Sequence, residues 1–169
     1  MKLLVCAAVI SALAPFAIAG DGDSIDSAVR ACYDVISGPA GTRDWARFQS
    51  LFAEGARLIP VRQTPQGSLP SAMTPQQYQE RAGANFQKNT FYESEVAHRV
   101  ETFGDIAHVF STYESRRAPG EKPFARGINS FQLVKTSAGW KIMTIFWDSE
   151  REGLTIPDKY LASPKTAPN

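Results

Sequence analysis

Up to residue 90 the apolar residues of this chain recur every three or four positions, and from Phe91 onward they alternate with polar ones. A period near 3.6 marks one face of an amphipathic helix, and a period of 2 marks a strand with one buried face. A helical first half and a sheet-forming second half leave few architectures open, because the sheet must bury its apolar face on the helices that precede it. The expected class is α+β: three N-terminal helices, then a meander of four long antiparallel strands.

Local signals place the elements. In "SIDSAVRACYDVISG" the residues Ile25, Ala28, Val29, Cys32 and Ile36 share one helical face, with Asp23 or Ser24 as N-cap and Gly38-Pro39 as the stop. A second helix is predicted in "TRDWARFQSLFAEGA", capped by Asp44 and ended by Gly55. "RLIPVRQ" (57–63) reads as a short strand that Pro60 confines to a sheet edge, and "TPQGSLPSAM" as a turn-rich loop. Thr74, followed by Pro75 at the first helical position, starts the third helix, whose apolar face carries Tyr78, Ala82 and Phe86.

In the second half, Gly104-Asp105 has the composition of a two-residue type II′ hairpin turn. That turn sets Phe103 opposite Ile106, Glu101 opposite His108, His98 opposite Ser111 and Glu95 opposite Glu114. Val96, His98, Val100, Thr102, Ala107, Val109, Ser111 and Tyr113 then share an inner face, and His108, Glu114 and Arg116 point outward with Glu95 and Arg99. A second hairpin turns at Ser137-Ala138 and sets Asn129 opposite Phe146, with Thr144 and Asp148 on the same wall.

The N-terminus is read apart from the fold. Lys2, the apolar run "LLVCAAVISALAPFAIA" and Ala17-Ile18-Ala19 before Gly20 form a positive region, an apolar core and an A-x-A cleavage site. Residues 1–19 are therefore expected to be a signal peptide, 20–157 a single domain and 158–169 an irregular tail. The protein is expected to be exported, to the periplasm or beyond the cell, with no membrane attachment after cleavage. Removing Lys2 lowers Lys plus Arg from 18 to 17, equal to the 17 Asp plus Glu, so nucleic acid is not an expected partner. Cys6 leaves with the leader, and Cys32 on the helix face reads as a small buried hydrophobe.

The order of elements and the phrases "DWARFQSLFAEGARL", "HVFSTYESR" and "GWKIMTIFWDSE" resemble the nuclear transport factor 2-like superfamily, in its SnoaL-like branch, over roughly residues 24–150. The resemblance implies a strongly curved antiparallel sheet wrapped as a cone around the three helices, a pocket at its open end and a homodimer through the outer sheet face. Enzymes of the superfamily, among them ketosteroid isomerases, scytalone dehydratases, limonene epoxide hydrolases and SnoaL-like cyclases, use a pocket Asp or His as base and a Tyr, Asp, Asn or Arg as acid or orienting group. None of those sets matches this chain position by position.

The candidate site therefore rests on residue chemistry. His98 and Tyr113 on the inner face are the expected acid–base pair, if there is one. Ser111, Asn129, Thr144 and Phe146 join them as expected ligand contacts. Two histidines on opposite faces and one buried cysteine give no zinc set, and no P-loop, dinucleotide fingerprint or G-x-S-x-G elbow occurs, so neither metal nor cofactor is expected. The leading expectation is a protein that binds a small apolar molecule. The alternative is a cofactor-free lyase, isomerase or hydrolase with His98 as base and Tyr113 as acid.

Overall fold

The structure, a computed structural model, describes residues 20–162, so the expected signal peptide and the tail from residue 163 lie outside the described residues. The elements run α1 (Ile25–Ile36), α2 (Trp45–Ser50), β1 (Phe52–Thr64), β2 (Gly67–Pro70), α3 (Pro75–Phe86), β3 (Tyr92–Phe103), β4 (Ile106–Arg116), β5 (Ala125–Thr136) and β6 (Gly139–Ser149). The strands form one curved, unclosed sheet in the order β2-β1-β6-β5-β4-β3, antiparallel except where β1 runs beside β6.

Helix starts follow the capping signals. Ser24 accepts from Ser27 N and Ser27 returns a bond to the Ser24 N–H, and Thr74 and Gln77 make the same reciprocal pair at α3. The end of α2 differs from expectation. The helix stops at Ser50 and not at Gly55, because the Leu51 carbonyl accepts from Ile142 N at 2.9 Å and the chain passes directly into β1. β1 is also longer than residues 57–63 and lies inside the sheet. Pro60 is tolerated there because β2 pairs only with Val61 to Thr64, just beyond it. The expected loop after it holds β2, whose four exposed residues show no burial pattern to read.

The first hairpin keeps its expected register from Phe103↔Ile106 to Ala97↔Thr112, around Gly104 at φ +54°. Val96 is then an extra residue, and the pairing resumes as Glu95↔Tyr113 and Glu93↔Ser115. In the second hairpin the expected register holds from Thr136↔Gly139 to Leu133↔Ile142. Met143 is extra, and Asn129 faces Trp147 where Phe146 was expected. A β-bulge puts two residues against one, so every side chain beyond it changes face.

Beyond the second bulge Ile145 turns inward and joins the core. Val109, Phe131, Leu133, Ile142 and Ile145 of the sheet pack on Val29, Cys32 and Ile36 of α1, on Phe48 of α2 and on Leu51 just after it. Each such side chain contributes about 1.5–3 kcal/mol by leaving water. The aromatic rings of Phe48, Tyr78, Phe86 and Phe91 continue this core toward α3.

Candidate functional site

Between α1, α3 and the concave face of the sheet lies a cavity of about 320 Å³. Its walls are mostly aromatic and aliphatic: Phe48, Tyr78 and Phe86 on the helical side, Phe131, Ile145 and Trp147 on the sheet side. Phe124, in the loop between β4 and β5, also borders it and stays 49% exposed. The polar groups are few. Tyr33, Glu93, Tyr113, Ser115 and Asn129 supply most of them, the composition of a small-molecule site.

Glu93 is the ionisable acid of this wall, and the end of α1 holds it in place. Ser37 Oγ bonds the Tyr33 carbonyl at 2.7 Å and accepts from Glu93 N at 2.9 Å, while Gly38 and Phe91 exchange both backbone bonds. Arg43 reinforces that helix end by donating to the carbonyls of Ile36, Gly38, Pro39 and Gly41 at 2.8–3.2 Å. Burial pushes the Glu93 carboxyl up to about 7, although a bond from Ser115 Oγ at 2.8 Å works in the opposite direction. Burial likewise pushes Tyr113 up to about 12, and its hydroxyl lies 2.8 Å from Ser149 Oγ. Tyr113 fits there because Gly127 stands opposite it: a Cβ on Gly127 would lie 2.5 Å from the Tyr113 hydroxyl.

On the other side of Tyr33 and Glu93 opens a second, polar cleft, lined by Asp26, Arg30 and Asp34 of α1 and by Ser94, Glu95 and His98 of β3. His98 Nδ1 lies 2.6 Å from Glu95 Oε1, and His98 Nε2 lies 3.7 Å from Asp26 Oδ1. Glu95 Oε2 accepts from Ser111 Oγ at 2.5 Å, and Ser111 meets the Tyr33 hydroxyl at 2.7 Å.

The expected site residues thus divide among several surroundings. His98 faces Ser111 as expected but lines the polar cleft, whereas Tyr113 and Asn129 line the apolar cavity, so His98 and Tyr113 do not share one pocket. Ser111 is fully buried between the two spaces. Thr144 and Phe146 lie past the Met143 bulge and so on the outer face, where Phe146 is 43% exposed; Trp147 and Ser149 take the inner positions. Glu95, expected outside opposite Glu114, is inside opposite Tyr113 for the same reason, and Val96, expected inside, is the exposed bulge residue. His108, Glu114 and Arg116 do point outward, where Glu114 pairs with Arg116 and, at 3.1 Å, with Arg126.

The sequence reading missed Tyr33 and Glu93. Tyr33 had a visible signal, four residues after the buried Val29. Glu93 had none, because only the bulge at Val96 turns it inward. Cys32 lines the cavity, but burial holds its thiol far above the usual range, so it serves as an apolar wall. Among the described residues no three His, Cys, Asp or Glu side chains come together as a metal-binding set.

No family model matches the chain, and no curated protein matches it. Solved structures do. A protein of unknown function with a cystatin-like fold from Nostoc punctiforme superposes with a TM-score of 0.58 at 10% identity, covering 75% of this chain and 88% of that one. A nuclear transport factor 2-like superfamily protein from Salmonella enterica serovar Typhimurium gives 0.57 at 17% identity, covering 76% and 90%. A candidate dehydratase of the same family from Streptomyces avermitilis gives 0.55 at 14%, covering 75% and 94%. The chain has the nuclear transport factor 2-like fold. At these identities the likeness fixes architecture and does not select the SnoaL-like branch or an activity.

Proposed function

We propose that this is an exported protein that binds a small, largely apolar molecule, of one or two rings, in the cavity between the helices and the sheet. The supporting observation is the cavity itself: about 320 Å³, at the lower end of the roughly 300–1,000 Å³ usual for ligand sites, with aromatic walls and few polar groups. Phe48, Phe131 and Trp147 supply contact area, while Glu93 and Asn129 address whatever polar group the molecule carries. Native mass spectrometry of protein taken from its own compartment, with a thermal-shift screen of one- and two-ring apolar compounds, tests this. A ligand at 100 times its dissociation constant adds about 2.7 kcal/mol. A screen without a shift, and a mass without an adduct, sink the reading.

A second reading, that of a cofactor-free lyase or isomerase, draws support from one specific feature: a carboxyl held near neutrality by burial in an apolar cavity, which is how a general base is tuned. The base in this reading is Glu93, with Tyr113 and Asn129 as hydrogen-bonding partners for the substrate; His98 lies outside the cavity. Deuterium exchange at the α-carbon of 2-tetralone in D2O is the test. Wild type is expected to exceed Glu93→Gln by tenfold or more, and equal rates remove the catalytic reading without touching the binding one.

A further inference from the structure

Tyr33 and Glu93 are the two residues common to the apolar cavity and the polar cleft, and a continuous line of hydrogen bonds joins the two spaces through Tyr33. Asn129 Nδ2 donates to the Tyr33 hydroxyl at 3.0 Å, Tyr33 meets Ser111 at 2.7 Å, Ser111 meets Glu95 Oε2 at 2.5 Å, and Glu95 Oε1 meets His98 Nδ1 at 2.6 Å. Valence sets the direction of the line. An ionised carboxylate only accepts, so Ser111 gives its single proton to Glu95 and must accept from Tyr33. The Tyr33 proton is then committed, and the phenol offers the cavity only a lone pair. With a proton on Glu95 Oε2 every step inverts: Glu95 donates to Ser111, Ser111 donates to Tyr33, and the Tyr33 O–H is released toward the cavity.

We propose that the Glu95–His98 pair in the cleft sets the hydrogen-bond polarity of Tyr33 in the cavity, so that proton uptake in the cleft makes Tyr33 a donor to a carbonyl or ether oxygen of the bound molecule. This rests on the cavity being a small-molecule site. Tyr33 remains a phenol throughout, because burial, and next the Glu93 charge, raise its ionisation well above the usual range. What changes is which way its proton points. The titratable groups around Glu95 carry both signs. From α1 the cleft presents Asp26, 3.7 Å from His98 Nε2, with Arg30 and Asp34. From β3 it presents His98 and Glu93, and from β4 the facing groups, Ser111 and Tyr113, are neutral.

The test uses protein labelled with 13C at tyrosine Cζ, with the Tyr33 signal assigned by its loss in Tyr33→Phe. Glu95→Gln fixes the inverted direction at every pH, because its amide nitrogen donates to Ser111 while its oxygen accepts from His98. In a Glu93→Gln background, which removes the carboxyl that titrates at about 7 beside Tyr33, the Tyr33 signal is expected to move on acidification toward the position it takes when Glu95→Gln is added, and with Glu95→Gln to stay constant. Tyr113, bonded to Ser149 off the line, is the internal control. At pH 8, 2-acetonaphthone is expected to bind Glu95→Gln about fivefold tighter than wild type, and 2-ethylnaphthalene to bind both equally. In that background, Tyr33 signals that coincide with and without Glu95→Gln at all pH, or a response that survives Ser111→Ala, overturn the proposal. If neither naphthalene binds, that result counts against the cavity reading alone, and the Tyr33 signal still decides the polarity switch.

Discussion

Glu93 shows how one residue's surroundings convert to a measurable property of the whole chain. Its folded carboxyl titrates at about 7 against an ordinary value of 4.5, so between those values the folded state holds a proton that the unfolded state has released. Stability from this group is therefore fully present below pH 4.5 and is lost as pH rises through 7. The loss approaches about 3 kcal/mol at most. Glu93→Gln is expected to flatten the pH dependence of the urea midpoint between pH 5 and 8, and to be the more stable protein at pH 8. A Gln variant that keeps the wild-type slope assigns the effect elsewhere. Arg43 makes a contrasting case, since it has no carboxylate partner among the described residues and satisfies four carbonyls at the close of α1. Its cost of removal is the cost of leaving those carbonyls bare. Arg43→Ala is expected to lose about 2–4 kcal/mol in urea unfolding, and Arg43→Lys to recover less than half of it, because a single ammonium cannot reproduce the fork.

At the scale of elements, the limits of the sequence reading have a common origin. The starts of α1 and α3 were legible because a capping box is local chemistry, and the first hairpin turn was legible because Gly104 carries a positive φ that few residues accept. Register was legible only from each turn to the first bulge. Val96 and Met143 bear no glycine or proline to mark an extra residue, yet they decide that Glu93 and Glu95 enter the interior and that Thr144 and Phe146 leave it. The second bulge left a trace: Ile142, Ile145 and Trp147 can share the core only if one position is skipped. The first left none, since the residues around it are polar on both faces. The side-chain identity of Val96 should therefore matter little and its presence a great deal. Val96→Ala, at a position 40% exposed, is expected to change stability by no more than about 0.5 kcal/mol. Deletion of Val96 is expected to cost several kcal/mol and to abolish the near-neutral carboxyl titration of Glu93, seen by 13C NMR of labelled glutamate. If the deletion variant retained that titration, the bulge would not be what turns Glu93 inward.

On the scale of the whole molecule, the two faces of the sheet are covered by different parts of the chain. The helices close the concave face around the cavity, and residues 150–162 strap the convex one. Ile156 is buried and its N–H donates to Glu150 at 2.8 Å; the Tyr160 ring packs on Phe110 at 5.0 Å; Thr112 and Arg99 donate to the carbonyls of Tyr160 and Lys159. Under the strap lies a smaller apolar groove of about 260 Å³ bordered by Val61, Phe110, Ile128 and Phe146. A homodimer through this face, the partnership that the family resemblance implies, has to form around the strap or displace it. Ending the chain at Glu150 removes one buried isoleucine and one aromatic contact, an expected loss of about 2–4 kcal/mol. It also uncovers Phe110, Thr112 and Ile128 beside the already exposed Phe146, a contiguous apolar patch of the kind that drives association. The truncated chain is therefore expected to self-associate in light scattering at concentrations where the full chain does not gain mass, and to do so less when Phe146→Ser is added. If truncation leaves the mass unchanged, the strap is a stabilising cover and has no part in keeping copies of the chain apart.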